Sequence, residues 1–404
     1  MHKLKYLILG AGPSGLTIAY ALLKNGISSD RLLLMEKESV AGGLCRSEQI
    51  DGAPLDICGA HFLDVRNNQA LNFLFSFLPK QEWNEFDRIS KICLRGMEID
   101  YPLEANLWQL PEADQIDYRT SMAQAGSVHG KAMPESFAAW VEWKLGKRIA
   151  EDYILPYNRK IWSMDLNMIG SYWMHKLPDV DIQNTLLNGL DGRQSTILPA
   201  HARYFYPKRY GYGELWRRMG AELGSCLITN CPVETLDLAT RTVNGQWQAD
   251  FIINTIPWTL WPHLTHLPAE IEREINKLRS VGINIDYFSE NPASQAHWIY
   301  DPSESVPHHR LILRSNFCPR SRGFYTETNI SRSDLAVGWR HSNEFSYPVN
   351  TIGKPESIAQ ILHWAANNRI YGIGRWGKWE HLNSDTAVCE ALDFAEKLLG
   401  KEIQ

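Results

Sequence analysis

Three glycines near the start of the chain have the spacing of a dinucleotide-binding turn. Gly10-Ala-Gly12-Pro13-Ser14-Gly15 is a GxGxxG pattern. In such a turn the first glycine allows a tight bend, the second lets the backbone approach a pyrophosphate, and the third lets a helix pack on a strand. Glu36 follows about twenty residues later, where a carboxylate can accept hydrogen bonds from an adenosine ribose. This segment therefore predicts a helix N-terminus that faces phosphate groups.

The flanking sequence predicts the elements that hold this turn. Residues 5–10 are an apolar, β-prone run, residues 16–23 have apolar side chains at helical spacing, and residues 32–35 are a second buried-strand candidate. Together they have the size of one βαβ unit. Further along, residues 88–103 alternate like an antiparallel strand pair, and residues 107–190 are mainly helical. Strand-like segments return after residue 226.

A second glycine pair directly follows the acidic residue. Gly42-Gly43-Leu44 is followed by Arg46 and Ser47. This arrangement resembles the FAD-binding fold of the superfamily of amine oxidases, protoporphyrinogen oxidases and UDP-galactopyranose mutases. The resemblance implies that the pair and Arg46 run along the pyrophosphate and ribityl chain of FAD, and that the backbone near Val233 touches adenine. The FAD-binding residues it implies are Gly10, Gly12, Pro13, Ser14, Gly15, Glu36, Lys37, Gly42, Gly43, Leu44, Arg46, Ser47, Val233, Gly374, Arg375, Asn383, Asp385 and Thr386.

Within this superfamily, several segments resemble the UDP-galactopyranose mutase family, particularly its eukaryotic-type sequences. Gly59-Ala-His61 is similar to a family loop whose histidine lies close to the isoalloxazine. Residues 156–162, Pro-Tyr-Asn-Arg-Lys-Ile-Trp, resemble a helix whose tyrosine and tryptophan stack on uracil. Tyr157 and Ile161 also have the i, i+4 spacing of a core pair, so a purely structural role is the alternative.

Residues 297–317 and 347–349 extend this resemblance to a diphosphate site. They imply that Arg310, with Tyr300 and Tyr347, holds the nucleotide diphosphate, because a planar fork of donors matches phosphate oxygens. The resemblance gives catalytic positions to His61, Arg310, Tyr300 and Tyr347, and substrate-binding positions to Tyr157, Asn158, Trp162, Lys176 and Asn106.

The chain also departs from the family pattern. Lys176 is the nearest basic residue where the family has a second diphosphate arginine, and lysine lacks the bidentate geometry. Phe317 replaces a tyrosine, and residues 379–381, Trp-Glu-His, stand where the family has a tyrosine-bearing segment. At least two phosphate or sugar contacts are therefore altered.

The predicted fold class is α/β, with a Rossmann-like FAD-binding domain, an inserted helical domain and an antiparallel-sheet substrate domain. The FAD-binding domain is expected in residues 1–85, 198–262 and 355–404. The helical substrate domain is expected in residues 105–197. The antiparallel sheet domain is expected in residues 86–104 and 263–354.

Three functions follow from the resemblance. The first is an FAD-dependent mutase that interconverts pyranose and furanose forms of a sugar nucleotide such as UDP-galactose, as in cell-surface polysaccharide biosynthesis. There N5 of the reduced flavin is the covalent nucleophile, and NAD(P)H is the expected reductant. The second is an oxidoreductase of the amine oxidase or protoporphyrinogen oxidase type. Such an enzyme would require an apolar pocket without cationic residues that bind a diphosphate. The third is a nucleotide-sugar-binding relative with little catalysis.

The composition excludes other classes of protein. Lys and Arg number 41 against 46 Asp and Glu, a net charge of −5 that is too mild for a nucleic-acid-binding surface. The seven cysteines lack CxxC spacing, which predicts no metal site and no disulfide framework, and favours the cytoplasm. No apolar run approaches the roughly 20 residues of a membrane span. The expected partner is a nucleotide sugar, with no nucleic acid and no membrane, and homo-oligomerisation is left open.

Overall fold

The computed structural model describes residues 2–174, 202–333 and 338–400. The described strands are β1 (His2–Leu9), β2 (Leu32–Met35), β3 (Ser47–Ile50), β4 (Ala53–Asp56), β5 (Leu63–Asp64), β6 (Trp83–Asp87), β7 (Ser90–Leu94), β8 (Met97–Asp100), β9 (Arg203–Pro207), β10 (Leu227–Ile228), β11 (Leu236–Asp237), β12 (Thr242–Val243), β13 (Trp247–Asn254), β14 (Ser280–Phe288), β15 (Trp298–Tyr300), β16 (Arg310–Ile312), β17 (Phe324–Asn329), β18 (Trp339–Pro348) and β19 (Ile370–Gly372). The described α-helices are α1 (Pro13–Lys24), α2 (Asn68–Leu74), α3 (Glu112–Ala123), α4 (Phe137–Leu145), α5 (Lys147–Ile149), α6 (Leu155–Trp162), α7 (Gly213–Glu222), α8 (Ala269–Ile275), α9 (Lys354–Asn367), α10 (Gly374–Gly377) and α11 (Ser384–Gly400).

The first sheet is the dinucleotide-binding layer. Its order is β10-β2-β1-β13-β12-β11, and β19 also pairs with β13. The pairs β1–β2, β1–β13, β2–β10 and β13–β19 are parallel, which confirms the βαβ unit predicted from the glycine turn. Tyr6 and Ile8 pack with α1 and α11, whereas Leu7 and Leu9 pack with α8 and α9. Apolar residues therefore occupy both faces of β1, as expected for a sheet covered on both sides.

The second sheet positions the residues predicted to contact a substrate. Its order is β18-β14-β17-β16-β15-β7-β8, and its neighbours are antiparallel except for the parallel pair β15–β7. The hairpin β7–β8 confirms the alternation seen in residues 88–103. Tyr300 pairs with Arg310, and Arg310 pairs with Glu327, so three charged or hydroxyl-bearing residues stand side by side on neighbouring strands.

The helical region contributes one wall of the site. Helices α5 and α6 form one continuous helix through a π-helical turn at Ala150–Ile154. Pro156 lies just after this turn. Proline has no backbone N–H to donate to the carbonyl one turn earlier, and in a regular α-helix its ring would clash with that carbonyl. The wider turn accommodates the proline, and such π turns often occur at functional sites.

Two smaller sheets complete the described fold. Strands β3 and β4 form a hairpin, and β5, β9 and β6 form a three-stranded sheet. The described chain is a mixed α/β fold with a Rossmann-like unit, as predicted. The exact domain boundaries stay a prediction. Within the described residues, no helix is long and apolar enough to cross a membrane.

Candidate functional site

A cavity of about 1110 Å³ is lined by residues of the two large sheets and of the helical region. It is larger than the roughly 300–1,000 Å³ typical of a single-ligand pocket, so it has room for two ligands. The predicted site residues that line it are Gly10, Gly12, Pro13, Ser14, Glu36, Lys37, Gly43, Leu44, Arg46, His61, Tyr157, Asn158, Trp162, Val233, Tyr300, Arg310, Tyr347, Gly374, Arg375 and Asn383. Gly15, Gly42, Ser47, Asn106, Asp385 and Thr386 lie outside the lining, and Lys176 lies outside the described residues.

The three glycines of the turn differ in their surroundings: Gly12 has open space beside it, whereas Gly10 and Gly15 are closely packed. Gly10 has φ of +96°, and a Cβ on Gly15 would lie 2.0 Å from the carbonyl oxygen of Gly10. A Cβ on Gly12 would instead have only Gly43 Cα nearby, 4.0 Å away. The space above Gly12 is therefore open to the cavity, as a pyrophosphate-binding turn requires.

Glu36 marks the end of the cavity suited to a nucleoside. Its carboxylate is buried and accepts bonds from the backbone N–H of Ala11 at 2.7 Å and of Glu38 at 3.0 Å. Val233 and Leu264 line the same cavity as Glu36. A fixed acceptor beside apolar side chains suits a ribose and its base.

Two arginines border the middle of the cavity. Arg46 donates from Nε to the carbonyl of Gly43 at 3.0 Å and pairs with Glu38 at 3.4 Å. Arg375 donates to the carbonyls of Ser346 and Leu382, each at 2.8 Å. Both guanidinium groups are held by backbone oxygens at fixed places along the wall.

Three predicted residues that lie off the cavity instead join elements around it. Ser47 donates to Asp56 at 2.5 Å and accepts from the backbone N–H of Gly213 at 2.8 Å. Asp385 accepts from Asn67 at 3.2 Å, and Asn106 donates to the carbonyl of Pro102 at 2.9 Å. The contacts of these three side chains are within the protein.

His61 lies where the two halves of the cavity meet. Its Nδ1 is 2.9 Å from the carbonyl oxygen of Gly59, and its ring stacks on Tyr212. Burial, together with the Arg375 guanidinium, lowers the pKa of His61 to about 4. The imidazole is therefore neutral near pH 7, and because a carbonyl only accepts, Nδ1 carries the proton and Nε2 is an acceptor.

Tyr300 is fixed by a residue that sequence reasoning missed. Arg88 donates from Nη2 to the Tyr300 hydroxyl at 3.0 Å, and the Trp298 indole N–H donates to the same oxygen at 2.9 Å. The Arg88 guanidinium also lies over the rings of Tyr101 and Trp298, at 4.6 and 4.9 Å. Arg88 was predicted only as the first residue of the alternating strand pair, and no motif marked it as a site residue.

Arg310 forms the centre of a buried polar cluster. Its Nε and Nη2 both donate to Oε2 of Glu327, at 2.9 and 2.5 Å, and the same oxygen lies 3.3 Å from Nε2 of His309. Glu327 is fully buried, but Arg310 retains some exposure and lines the cavity with His309. Neither Glu327 nor His309 was singled out from the sequence.

Aromatic side chains line the helical arm of the cavity. Tyr157 packs edge-on against Tyr300, with ring centroids 5.5 Å apart. The Trp162 indole donates to Oδ1 of Asn158 at 3.0 Å, one helical turn earlier. Tyr347 stacks on His381 with centroids 5.0 Å apart and planes at 6°. Trp140 and Trp173 extend this arm and were also missed.

The altered family positions have different environments. Phe317 is buried among Phe62 and Tyr206, away from the cavity. Trp379 is buried and donates to the carbonyl of Arg279 at 3.1 Å, whereas His381 lines the cavity. Of the three positions, only His381 can change a ligand contact directly.

The chain fits a dinucleotide at the first-sheet end of the cavity. The test is Gly12, where a Cβ would fill open space rather than meet protein atoms. A carboxylate at Glu36 and the N-terminus of α1 complete the donor and acceptor set that such a ligand needs. Within the described residues, no group of three or more His, Cys, Asp or Glu side chains could hold a metal ion.

Known proteins with this architecture identify the fold. A crystal structure of reduced UDP-galactopyranose mutase superposes with a TM-score of 0.88, over 99% of this chain and 94% of that chain, at 22% sequence identity. The chain has the fold of UDP-galactopyranose mutase. The UDP-galactopyranose mutase-like fold predicted from the sequence is confirmed.

Sequence comparisons agree with the UDP-galactopyranose mutase fold. The UDP-galactopyranose mutase of Mycoplasma pneumoniae is 21% identical over 98% of this chain and 97% of its own length. An uncharacterised protein from the nifH2 3′ region of Methanothermococcus thermolithotrophicus is 35% identical, over 26% of this chain and 98% of its own length. Residues 8–78 match the NAD(P)-binding Rossmann-like domain.

A wider set of enzymes shares the architecture less closely. Putrescine oxidase bound to putrescine superposes with a TM-score of 0.64, over 98% of this chain and 99% of that chain, at 17% identity. The UDP-galactopyranose mutase superposition is closer by this measure. At these identities both likenesses establish the fold, and activity has to be argued from the cavity.

Proposed function

We propose that the protein is an FAD-dependent mutase that interconverts the pyranose and furanose forms of a sugar nucleotide of the UDP-galactose type. The observation that carries the proposal is Arg310, which lines the same cavity as the dinucleotide turn and the aromatic side chains of the helical region. One cavity thus brings together groups suited to a flavin, a diphosphate and a nucleobase.

FAD would occupy the first-sheet end. Gly12 and Gly43 would face its pyrophosphate, Glu36 its adenosine ribose, and the backbone near Val233 its adenine. In reduced form it would supply the nucleophilic N5 that makes and breaks the bond to the anomeric carbon. The residues of the chain then need only bind and orient the two ligands and exclude water from the cavity.

The aromatic arm would hold the nucleotide. Tyr157 and Trp162 offer flat faces to a uracil ring, and Asn158 fixes the Trp162 indole. Arg310 would donate to the diphosphate, because a guanidinium fork matches two phosphate oxygens. Tyr300 accepts bonds from Arg88 and Trp298, which leaves its own hydroxyl proton for a phosphate oxygen.

His61 would act as a neutral hydrogen-bonding group beside the sugar and the flavin. Its low pKa keeps Nε2 unprotonated, so it can accept a bond from a ligand hydroxyl or from a flavin N–H. The proposal also includes NAD(P)H as the reductant, a cytoplasmic location and the domain division predicted from the sequence.

The test is conversion of UDP-galactose by the purified protein reduced with dithionite. The proposal predicts formation of a second UDP-sugar isomer, resolved by chromatography, without oxygen uptake. Loss of this conversion in the oxidised protein is expected. Absence of any isomer with fully reduced, FAD-loaded protein would contradict the proposal.

One observation favours a second function, an amine oxidase. Glu104 lines the cavity, and within the described residues its carboxyl group is bonded only by its own backbone N–H. Burial raises the pKa of this carboxyl. A partly buried acid near aromatic rings such as Tyr101 and Tyr153, with no cationic partner among the described residues, would suit the ammonium group of an amine.

An oxygen electrode separates the two functions. The oxidase predicts oxygen uptake and hydrogen peroxide when putrescine is added, and loss of both in Glu104→Gln. The mutase predicts no oxygen uptake with putrescine, and it predicts that Glu104→Gln still binds UDP.

A further inference from the structure

Glu327 lies behind the cavity wall and contacts the arginine that faces the cavity. It is fully buried on β17, directly across from Arg310 in the strand register. Both Arg310 donors converge on Oε2 of Glu327, at 2.9 and 2.5 Å. A guanidinium held by two bonds to one carboxylate has a fixed plane.

Glu327 and Arg310 form a pair with no net charge. Burial opposes ionisation of Glu327, but Arg310 and His309 hold the pKa of the carboxyl below its usual range. Burial lowers the pKa of His309, so this imidazole is neutral near pH 7. The carboxylate thus cancels the positive charge that Arg310 would otherwise present to an anion.

Among the residues that the structure describes, the other carboxylate oxygen, Oε1 of Glu327, is buried without a hydrogen-bond partner, as is Nδ1 of His309. A buried acceptor without a hydrogen bond lowers the stability of the fold, so this arrangement is unfavourable for stability alone. A carboxylate kept at this cost points to a role beyond folding.

The same oxygen packs against the loop that carries His61. Gly59 has φ of +89°, and a Cβ at this position would lie 2.1 Å from Oε1 of Glu327. Only glycine lets the loop approach so closely. Glu327 therefore touches both the proposed flavin side and the proposed diphosphate side of the cavity.

We propose that Glu327 is a positioning residue that orients Arg310 and competes with the diphosphate for it. The inference rests on the proposed function. A bound diphosphate would bind the Arg310 guanidinium while Glu327 also remains bonded to it. The nucleotide is therefore held in a defined place, and it still dissociates readily.

Removal of this charge has opposite effects on binding and turnover. In Glu327→Gln the diphosphate becomes the counter-ion of Arg310, so UDP binds about tenfold more tightly. Turnover falls about tenfold or more, because the guanidinium loses its fixed plane and the product leaves slowly. A merely structural carboxylate would give weaker UDP binding instead.

The experiment measures the UDP Kd by calorimetry and kcat for UDP-galactose in reduced wild-type protein, Glu327→Gln and Glu327→Asp. Aspartate keeps the charge but withdraws it by one methylene, so its UDP Kd should fall between the other two. FAD content reports folding. If the glutamine variant does not fold, an aspartate variant that binds UDP no more tightly than wild type overturns the inference.

A matched control comes from another buried arginine–glutamate cluster. Glu214 is buried on α7 and accepts from Arg217 and Arg218 at 2.8 to 2.9 Å, away from the cavity lining. Glu214→Gln should lower stability and leave the UDP Kd unchanged. A similar gain in UDP affinity in both variants overturns the inference.

Pyrophosphate separates this inference from the proposed function. Wild-type protein that neither binds UDP nor converts UDP-galactose contradicts the mutase, but pyrophosphate still tests the charge of Glu327. Tighter pyrophosphate binding in Glu327→Gln than in wild type supports the inference. Equal affinities, including no binding by either protein, overturn it.

Discussion

The two halves of the cavity are built from different kinds of contact. The first-sheet half is defined by backbone: the open space above Gly12, the turn at Gly10 and a carboxylate held by two N–H groups. The other half is defined by side chains such as Arg310 and Trp162, which come from a different sheet and from a helix. A site formed by backbone contacts constrains the residue types of one short segment. A site formed by side-chain contacts depends on residues that are far apart in the sequence.

This difference explains why the halves tolerate change differently. A glycine turn requires glycine at fixed spacing, so its sequence is recognisable in one place. A side-chain clamp can exchange partners: His381 stacks on Tyr347, in a segment where the resemblance leads us to expect a tyrosine. Ligand identity should therefore vary in the second half while the cofactor stays the same.

Gly12→Val is the largest test of the backbone-defined half. The added Cβ has only Gly43 Cα within 4 Å and points into open space, so the fold should stay intact while FAD affinity falls at least about 100-fold. Absorbance of the flavin and the unfolding midpoint check both expectations.

Gly15→Ala is the matched variant in the same turn. Its Cβ would meet the Gly10 carbonyl oxygen at 2.0 Å, so here the fold itself should lose on the order of 3 kcal/mol. Equal stability loss in Gly12→Val and Gly15→Ala would contradict the distinction between open and packed glycines.

Arg310→Ala tests the side-chain-defined half. We expect turnover to fall at least about 100-fold while FAD remains bound, because the guanidinium faces the second half of the cavity. Steady-state rates and flavin absorbance measure the two effects. Arg322→Ala, which breaks an exposed ion pair with Asp51 outside the cavity lining, is the control and should keep near-normal turnover.

Much of the fold could be predicted because its signals are local. The glycine turn, the apolar run of β2 and the hairpin β7–β8 each occupy a few consecutive residues. Strand β18 was missed because Trp339–Pro348 is mostly polar and has no clean alternation. Strand β9 was missed because its partners, β5 and β6, lie more than a hundred residues earlier.

The candidate site divides in the same way. Arg310 was predicted through a resemblance that spans many residues, but its partner Glu327 belongs to the next strand and has no motif of its own. Arg88 reaches Tyr300 only because β7 and β15 are adjacent in the folded sheet. Such pairs depend on sheet order, which the sequence pattern did not specify.

His61 tests the junction between the halves through pH. An unfolded histidine titrates near 6.5, and burial lowers the folded pKa to about 4. Stability that is present above about pH 6.5 is therefore lost as the pH falls toward 4, because the unfolded chain takes up the proton first. Between about pH 7 and 5, His61→Gln should lose about 2 kcal/mol less stability than wild type.

Urea unfolding at several pH values measures this difference. His297, whose pKa is also lowered to about 4 by burial, acts in the same direction in both proteins and cancels in the comparison. Identical pH dependence in wild type and variant would show that His61 is not held neutral.

Asn158→Ala is the smallest test, and it concerns the aromatic arm. Loss of the acceptor for the Trp162 indole should lower stability by about 1 kcal/mol. It should weaken UDP binding about threefold, with kcat nearly unchanged, because the ring loses its fixed orientation. Calorimetric Kd and the rate at saturating substrate give the two values, and a large fall in kcat would place Asn158 closer to the chemistry.

The central claim is that a flavin and a sugar nucleotide lie end to end in one cavity. The most direct measurement is a crystal structure of the reduced protein soaked with UDP-galactose. We predict density for FAD over Gly12 and Glu36, a diphosphate at Arg310, and uracil between Tyr157 and Trp162. A diphosphate away from Arg310, or an empty aromatic arm beside bound FAD, would contradict the account.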